Sequence, residues 1–183
     1  MRLLAKGTKH FTRGDTMKME SLKDLYLEQL RDLYDAETQL IDALPKMAEA
    51  ATSPDLKKGF NDHLNQTRDH VTRLERIFSA LGEKPKGQTC QAMKGLVKEG
   101  EEMIKAKGDP EVIDAGLIAA AQRVEHYEIA AYGTVRTYAE SLGAAEAAQL
   151  LETTLKEEKE TDFKLTHLAK THINAEAFAV AHR

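Results

Sequence analysis

The sequence predicts an all-α protein in which four long helices pack as a bundle, with a long connection containing a short helix between the second and third. Three observations support this. Only four prolines, eleven glycines and 5% aromatic residues are set against abundant Ala, Leu, Glu and Lys, a balance that favours helix over sheet. Apolar residues recur in alternating steps of three and four along four long segments, the period of a helix with one buried face. Helix start and stop residues fall between those segments. At 183 residues, the chain is long enough for one domain with its own core.

Ser21, followed three residues later by Asp24, reads as an N-cap with an acid in the first turn, where the helix dipole favours it. The first helix then runs to about Ala51 on the stripe Tyr26, Leu30, Leu33, Glu37, Leu40, Leu44, Met47. Pro45 removes a backbone bond within it, so a bend is expected there. Ser53 and Pro54 open the second helix, whose seam is Leu56, Phe60, His63, Thr67, His70, Leu74, Ile77, Leu81, and Gly82 closes it. Between Gly82 and Pro110 the glycine and proline content rises, yet Met93, Leu96, Val97, Met103 and Ile104 keep a helical period. A connection of that length allows the second and third long helices to run parallel.

Asp109-Pro110-Glu111 starts the third long helix, which extends to about Leu142 on Ile118, Ala121, Glu125, Glu128, Tyr132, Val135, Ala139. Gly143 breaks the chain. The fourth helix is expected from about Ala144 to His172 on Leu151, Leu155, Glu158, Asp162, Leu165, Ala169. Residues 21–174 thus form the bundle, residues 1–20 a basic, flexible extension, and residues 175–183 a tail that either extends the last helix or frays.

The net charge of −4 argues against a general nucleic-acid binder. No apolar run approaches the roughly 18–20 residues that a membrane span needs, so membrane insertion is not expected. Cys90 is the only cysteine, which excludes an internal disulfide and suits a reducing cytoplasm.

Every long helix carries polar residues in mid-seam. Glu37 lies about 16 residues before the first turn and His70 about 17 after it, which puts them at similar height. The same reasoning on the second hairpin brings Glu125 and Glu128 near Glu158 and Asp162. Five carboxylates with His63 or His70 in one buried layer require compensating charge, which two metal ions would supply. Bundles of the di-iron and di-manganese type use a Glu from two helices and Glu-x-x-His from two others. This chain matches in part, with Glu-x-x-Glu on the third helix and no seam carboxylate on the second. The candidate metal ligands are Glu37, His63, His70, Glu125, Glu128, Glu158 and Asp162, and the candidate neighbours of the site are Gln66, Thr67 and Tyr132. Oxygen-rich ligation with imidazole suits iron or manganese, two ions per chain. His126, His167 and His172 have no such support and read as surface or cap residues.

At Asp35-Ala36-Glu37 with Gln39-Leu40, His63-Leu64 with Thr67, Ile118 to Ala121, Val124 to Ala130, Thr154-Leu155, Glu157 to Lys159 and Thr161-Asp162, the chain resembles the YciE/YciF family of ferritin-like bacterial stress proteins. The resemblance spans about Ser21 to Asn174. It implies a rubrerythrin-like four-helix bundle, a homodimer, a dinuclear metal centre and stress-linked expression. Some members carry a glutamate where this chain has Gln66, and rubrerythrin-like sites more often have a histidine where it has Asp162.

Two functions follow as expectations. In the first, the carboxylates hold iron or manganese that reacts with peroxide or oxygen beside Tyr127 or Tyr132, with an outside reductant because the chain has no electron-transfer cysteine cluster. In the second, the protein is a non-catalytic helical dimer with a structural or partner-binding role. Mineral storage is weaker, since no residue signals a closed cage. The sequence names no catalytic residue.

Overall fold

The computed structural model describes residues 19–86 and 89–180, so most of the expected extension, residues 1–18, and the final residues 181–183 lie outside the described residues. The protein is all-α. Its elements are α1 (Leu22–Ala50), α2 (Pro54–Leu81), α3 (Gln91–Ile104), α4 (Pro110–Ser141) and α5 (Ala145–Leu168), then a π turn (Ala169–Ile173) and α6 (Asn174–Val180).

The helix ends form where the side chains dictate. Ser21 Oγ accepts from the Asp24 amide and donates to the Asp24 carboxylate, closing the first turn of α1. α1 continues through Pro45, which is exposed. Ser53 caps α2 with Pro54 in its first turn, and Gly82, at φ 68°, ends it in the left-handed conformation that glycine adopts without strain. Gly143, at φ 71°, does the same after α4.

Polar contacts fix the helix directions. Thr52, just beyond α1, meets Asp114 in the first turns of α4, while Glu37 meets Tyr132 farther along, so α1 and α4 are antiparallel. His63 beside Thr161 and Arg73 beside Thr154 set α2 against α5 in the same sense. Since α2 reverses from α1 at a short turn, α2 and α4 run parallel. The connection that carries α3 therefore travels the length of the molecule, packing on α1 and α4. The Cys90 amide donates to Asp35 Oδ2 at 2.7 Å, which pins the start of α3 to α1.

Asp114 is buried and accepts from the Thr52 amide at 2.9 Å, the Thr52 hydroxyl at 2.7 Å and the Ser53 amide at 2.7 Å. It supplies the α1–α2 turn with acceptors that the turn itself lacks. Asp114→Ala is expected to cost about 2 kcal/mol by leaving those donors unpaired. In thermal denaturation this should appear as a fall of roughly 4–8 °C, with any bound cation unaffected because the turn lies at one end of the molecule.

Two apolar clusters divide the interior. One, toward the α1–α2 turn, contains Leu40, Leu44, Leu56, Phe60, Leu117 and Leu165; the other, toward the opposite end, contains Leu30, Leu33, Leu74, Ile77, Val135 and Leu151. Between them every long helix contributes buried polar residues: Glu37 from α1, His63, Thr67 and His70 from α2, Glu125 and Glu128 from α4, and Thr154, Glu158 and Thr161 from α5.

The fourth long segment differs from the continuous helix expected as far as His172. It passes into the π turn at Ala169 and resumes as α6, which reaches Val180 and packs on α4. No helix among the described residues is long and apolar enough to cross a membrane.

Candidate metal centre

Each side chain in the polar layer reaches the interior because helical periodicity puts it on its helix's inward face, and the two apolar clusters seal the layer above and below. Glu37, His70, Glu128 and Glu158 are fully buried, and His63 and Glu125 are only 3% and 2% exposed. Ligand atoms from these six residues fall into two groups, His63 with Glu125, Glu128 and Glu158, and Glu37 with His70 and Glu158. Within each group the atoms lie within 4.8 Å of one another, and Glu158 belongs to both.

Contacts at the ring nitrogens show how each histidine is turned. His70 Nε2 lies 2.9 Å from Glu157 Oε2, an acceptor, so this nitrogen carries the hydrogen. Its Nδ1 then faces Glu158 Oε1 at 3.0 Å and Glu37 Oε1 at 3.2 Å. For His63, Nδ1 lies 3.3 Å from Thr161 Oγ1, whose own hydrogen goes to the Glu157 carbonyl, so the hydroxyl accepts from the ring. Nε2 of His63 faces Glu125 Oε1 at 3.4 Å and Glu158 Oε2 at 3.8 Å. Both imidazoles are thus held by their outer nitrogens with the inner ones turned to the carboxylates, the orientation that metal-ligating histidines take.

Glu37 Oε2, both oxygens of Glu128 and Glu158, Glu125 Oε2, His63 Nε2 and His70 Nδ1 are buried without a hydrogen-bond partner. Such a set fits cations: four carboxylates and two imidazoles are hard-to-intermediate donors, with no thiolate among them.

Electrostatics agree. Burial pushes the Glu125 and Glu128 carboxyls well above the usual range, and the charge on Glu158 pushes them further. Glu37 is raised by burial, against the opposing pull of His70. Burial opposes ionisation of Glu158 too, but His70 and His63 together hold it below its ordinary value. Desolvation disfavours a charge on His70, yet Glu37, Glu157 and Glu158 carry it up to about 12. The layer therefore binds protons avidly when protons alone must neutralise it, and a cation would compete for the same atoms.

Six of the seven candidate ligands come together. Asp162 does not: it is half-buried, accepts from Gln122 Nε2 at 3.0 Å and lies 3.4 Å from the exposed His126. Four residues beyond Glu158 is about 40° past the seam, and an aspartate is one methylene shorter, so its carboxylate stops at the α4–α5 boundary. Among the expected neighbours, Tyr132 donates to Glu37 Oε1, whereas the Thr67 hydroxyl donates to the His63 carbonyl at 3.0 Å and so turns away from the ligands. Gln66 is half-buried and lines the same cavity as His63. Tyr127 points elsewhere, donating to Asp32 with Cys90 Sγ 3.0 Å away.

Comparison with known proteins agrees with the residue pattern. The family model described as a domain of unknown function, DUF892, matches residues 21–178. The chain belongs to the DUF892 family. Protein YciF of Escherichia coli K12 is 46% identical over 162 residues, 88% of this chain and 98% of YciF. The crystal structure of the E. coli stress protein YciF superimposes with a TM-score of 0.82, covering 85% of this chain and 99% of that one. YcfI of Rhodopseudomonas palustris, 44% identical, gives 0.79 over 86% of this chain and 98% of its own. A protein from Xanthomonas campestris pv. campestris, at 22% identity and 0.69, shares the fold. The YciE/YciF resemblance read from the sequence therefore holds over the helical core.

Two residues of this DUF892 chain escape a seam-based reading. Glu157 receives His70 Nε2 on one oxygen and Arg73 on both, with Arg73 Nη2 at 3.0 Å from Oε1. These contacts hold Glu157 down at about 2, overcoming its partial burial. In the sequence Glu157 is hidden in an acidic run, and only its spacing from Thr154 and Thr161 marks a second inward line on α5. Arg73 likewise reads as a surface charge. Glu157→Ala is expected to weaken cation binding by about 10–100-fold by freeing the His70 ring, while Glu157→Gln, which can still accept from Nε2, recovers part of the loss. Competition titration against a metallochromic chelator measures both.

Proposed function

We propose that this YciF-like protein is a ferritin-like four-helix bundle that holds two divalent cations, iron or manganese. His63, Glu125, Glu128 and Glu158 would hold one ion, and Glu37, His70 and Glu158 would hold the other, so that Glu158 serves both. The observation that carries this reading is the orientation of the two imidazoles, each pinned by its outer nitrogen so that the inner one is turned toward Glu158 and either Glu37 or Glu125. A structural core without ligands gains nothing from that arrangement, since burying the same groups unpaired costs several kcal/mol.

When loaded with iron or manganese, such a pair supplies one-electron redox chemistry at adjacent ions, suited to consuming peroxide or oxygen during stress. The chain's own residues set the conditions. Glu37 keeps its orientation through the Tyr132 hydroxyl, Glu157 and Arg73 fix His70, and the apolar clusters exclude water on two sides. An external reductant is required for turnover, and the protein acts as a homodimer in the cytoplasm.

Anaerobic reconstitution with ferrous or manganous salt, followed by metal analysis, tests the reading: two ions per chain are expected, and a metal-free product would refute it. Adding peroxide to the ferrous form should oxidise it. A second reading, a non-catalytic structural protein, is favoured by the description of the R. palustris relative as a candidate structural protein and by the exposed Phe163 and Phe178. In that case Glu128→Ala would lower the melting temperature of the loaded protein without removing any redox reaction.

A further inference from the structure

A cavity of about 510 Å³ lies between α2, the C-terminal part of α5 and the π turn. Its lining includes His63 and Glu125 but none of Glu37, His70, Glu128 or Glu158. One of the two ligand groups therefore opens onto a cavity. Glu37 and His70 of the other group do not line it.

The size is informative. A water's share of liquid volume is about 30 Å³, so a route for peroxide or dioxygen alone needs a small fraction of this space, whereas organic ligands occupy pockets of about 300–1,000 Å³. Leu56, Phe60, Leu165 and Leu168 make most of the exposed wall apolar, although Asp55, Asp62 and His167 also line it. The outer residues include Lys58 and Lys164, but Lys58 is paired with Asp62 and Lys164 with Glu160, so neither cation is left over for an anion arriving from solvent. His172 and Thr171 come from the π turn, an irregularity that recurs at functional sites because it re-aims side chains within a helix.

We infer that the cavity takes a small organic molecule with an apolar body and an anionic oxygen head group, and that the head reaches the cation at His63 and Glu125 while the Glu37–His70 position stays closed to it. This rests on the two-cation reading above and deepens it. The two positions are inequivalent: one meets the ligand, and the other is reached through Glu158. The half-buried Gln66 amide on the cavity wall is a donor for the head group. Anionic head and apolar tail are both needed, because Glu125 repels the head unless a cation lies between them.

The test uses the full chain loaded with manganese, with octanoate and acetate as probes in calorimetric titration and metal analysis in parallel. Octanoate should bind at least about tenfold more tightly than acetate, and only in the loaded protein. Gly59 lines the cavity on α2, and a Cβ there would meet no atom within 4 Å, so Gly59→Phe can fill the space without disturbing the helix. That variant should keep its manganese and lose the preference for octanoate; Leu168→Trp, from the opposite wall, should do the same. Equal binding of the two probes to a fully loaded protein, or an octanoate preference that survives both variants, would overturn the inference while leaving the cation pair intact. Absence of manganese from the unmodified chain would instead overturn the reading beneath it, and this inference with it.

Discussion

Glu158→Ala is expected to remove both cations at once. Its two oxygens serve the two ligand groups, Oε1 lying 3.0 Å from His70 Nδ1 and Oε2 3.8 Å from His63 Nε2, and no other residue belongs to both. Loss of an outer hydrogen-bond partner of a ligand already weakens binding by about 10–100-fold, so loss of the shared ligand should exceed about 100-fold at each position. The remaining charges also reorganise. Glu158 helps to hold His70 charged in the cation-free protein, and His70 in turn keeps Glu37 from rising further. Metal analysis after dialysis against micromolar manganese should fall from two ions per chain to nearly none. Glu160→Ala, two residues away and paired with Lys164 on the surface, is the control and should retain both. If Glu158→Ala keeps two tightly bound ions, the assignment of Glu158 to both positions is wrong.

Cation binding is also expected to raise the melting temperature, by an amount that grows with pH. At a free concentration of about 100 times Kd, one bound ion contributes about 2.7 kcal/mol, or roughly 5–10 °C for a chain of this length. The pH dependence follows from the direction of each shift. The raised carboxyls of Glu125 and Glu128 contribute stability that is fully present below their unfolded values and is lost as pH rises through their folded values. His70 behaves in the same sense, its contribution present below its ordinary value and lost as pH rises toward about 12. Glu157 acts oppositely: its contribution is present above its unfolded value and is lost as pH falls toward about 2. The cation-free protein should therefore lose stability from mildly acidic to alkaline pH, and also below about pH 4, where Glu157 takes up a proton in the unfolded chain while the folded state still holds it ionised.

The loaded protein escapes the first loss, because the ions displace the protons that Glu125 and Glu128 would otherwise hold. Paired melting curves with manganese and with chelator across pH 5–9 should diverge as pH rises. Curves that run parallel would show that the ions, if bound, do not sit on these carboxylates.

Much of this was readable from residue spacing. The four long helices, their caps at Ser21, Ser53 and Asp109 and their ends at Gly82 and Gly143 follow from local rules about which side chains satisfy free amides and which backbones tolerate positive φ. Six of the candidate ligands were legible because a carboxylate or imidazole in an apolar seam has nowhere to point but inward. Glu157 and Arg73 were not, since each lies beside the seam, where periodicity alone cannot distinguish a solvated charge from one that turns back toward a neighbour. Asp162 misled for the converse reason: it continues the seam in sequence, but about 40° of helical drift and a short side chain direct it to Gln122.

The chain alone, then, determined the number of the long helices, where each begins and the height at which each carries its acids and imidazoles, because these depend on interactions within a few residues. Tertiary structure decided which of those groups meet, that Glu158 is shared, that the outer nitrogens of His63 and His70 are tied to Thr161 and Glu157, and that a cavity opens beside His63 and Glu125. Those outcomes depend on the rotation of each helix about its own axis, and only packing against the other three sets that rotation.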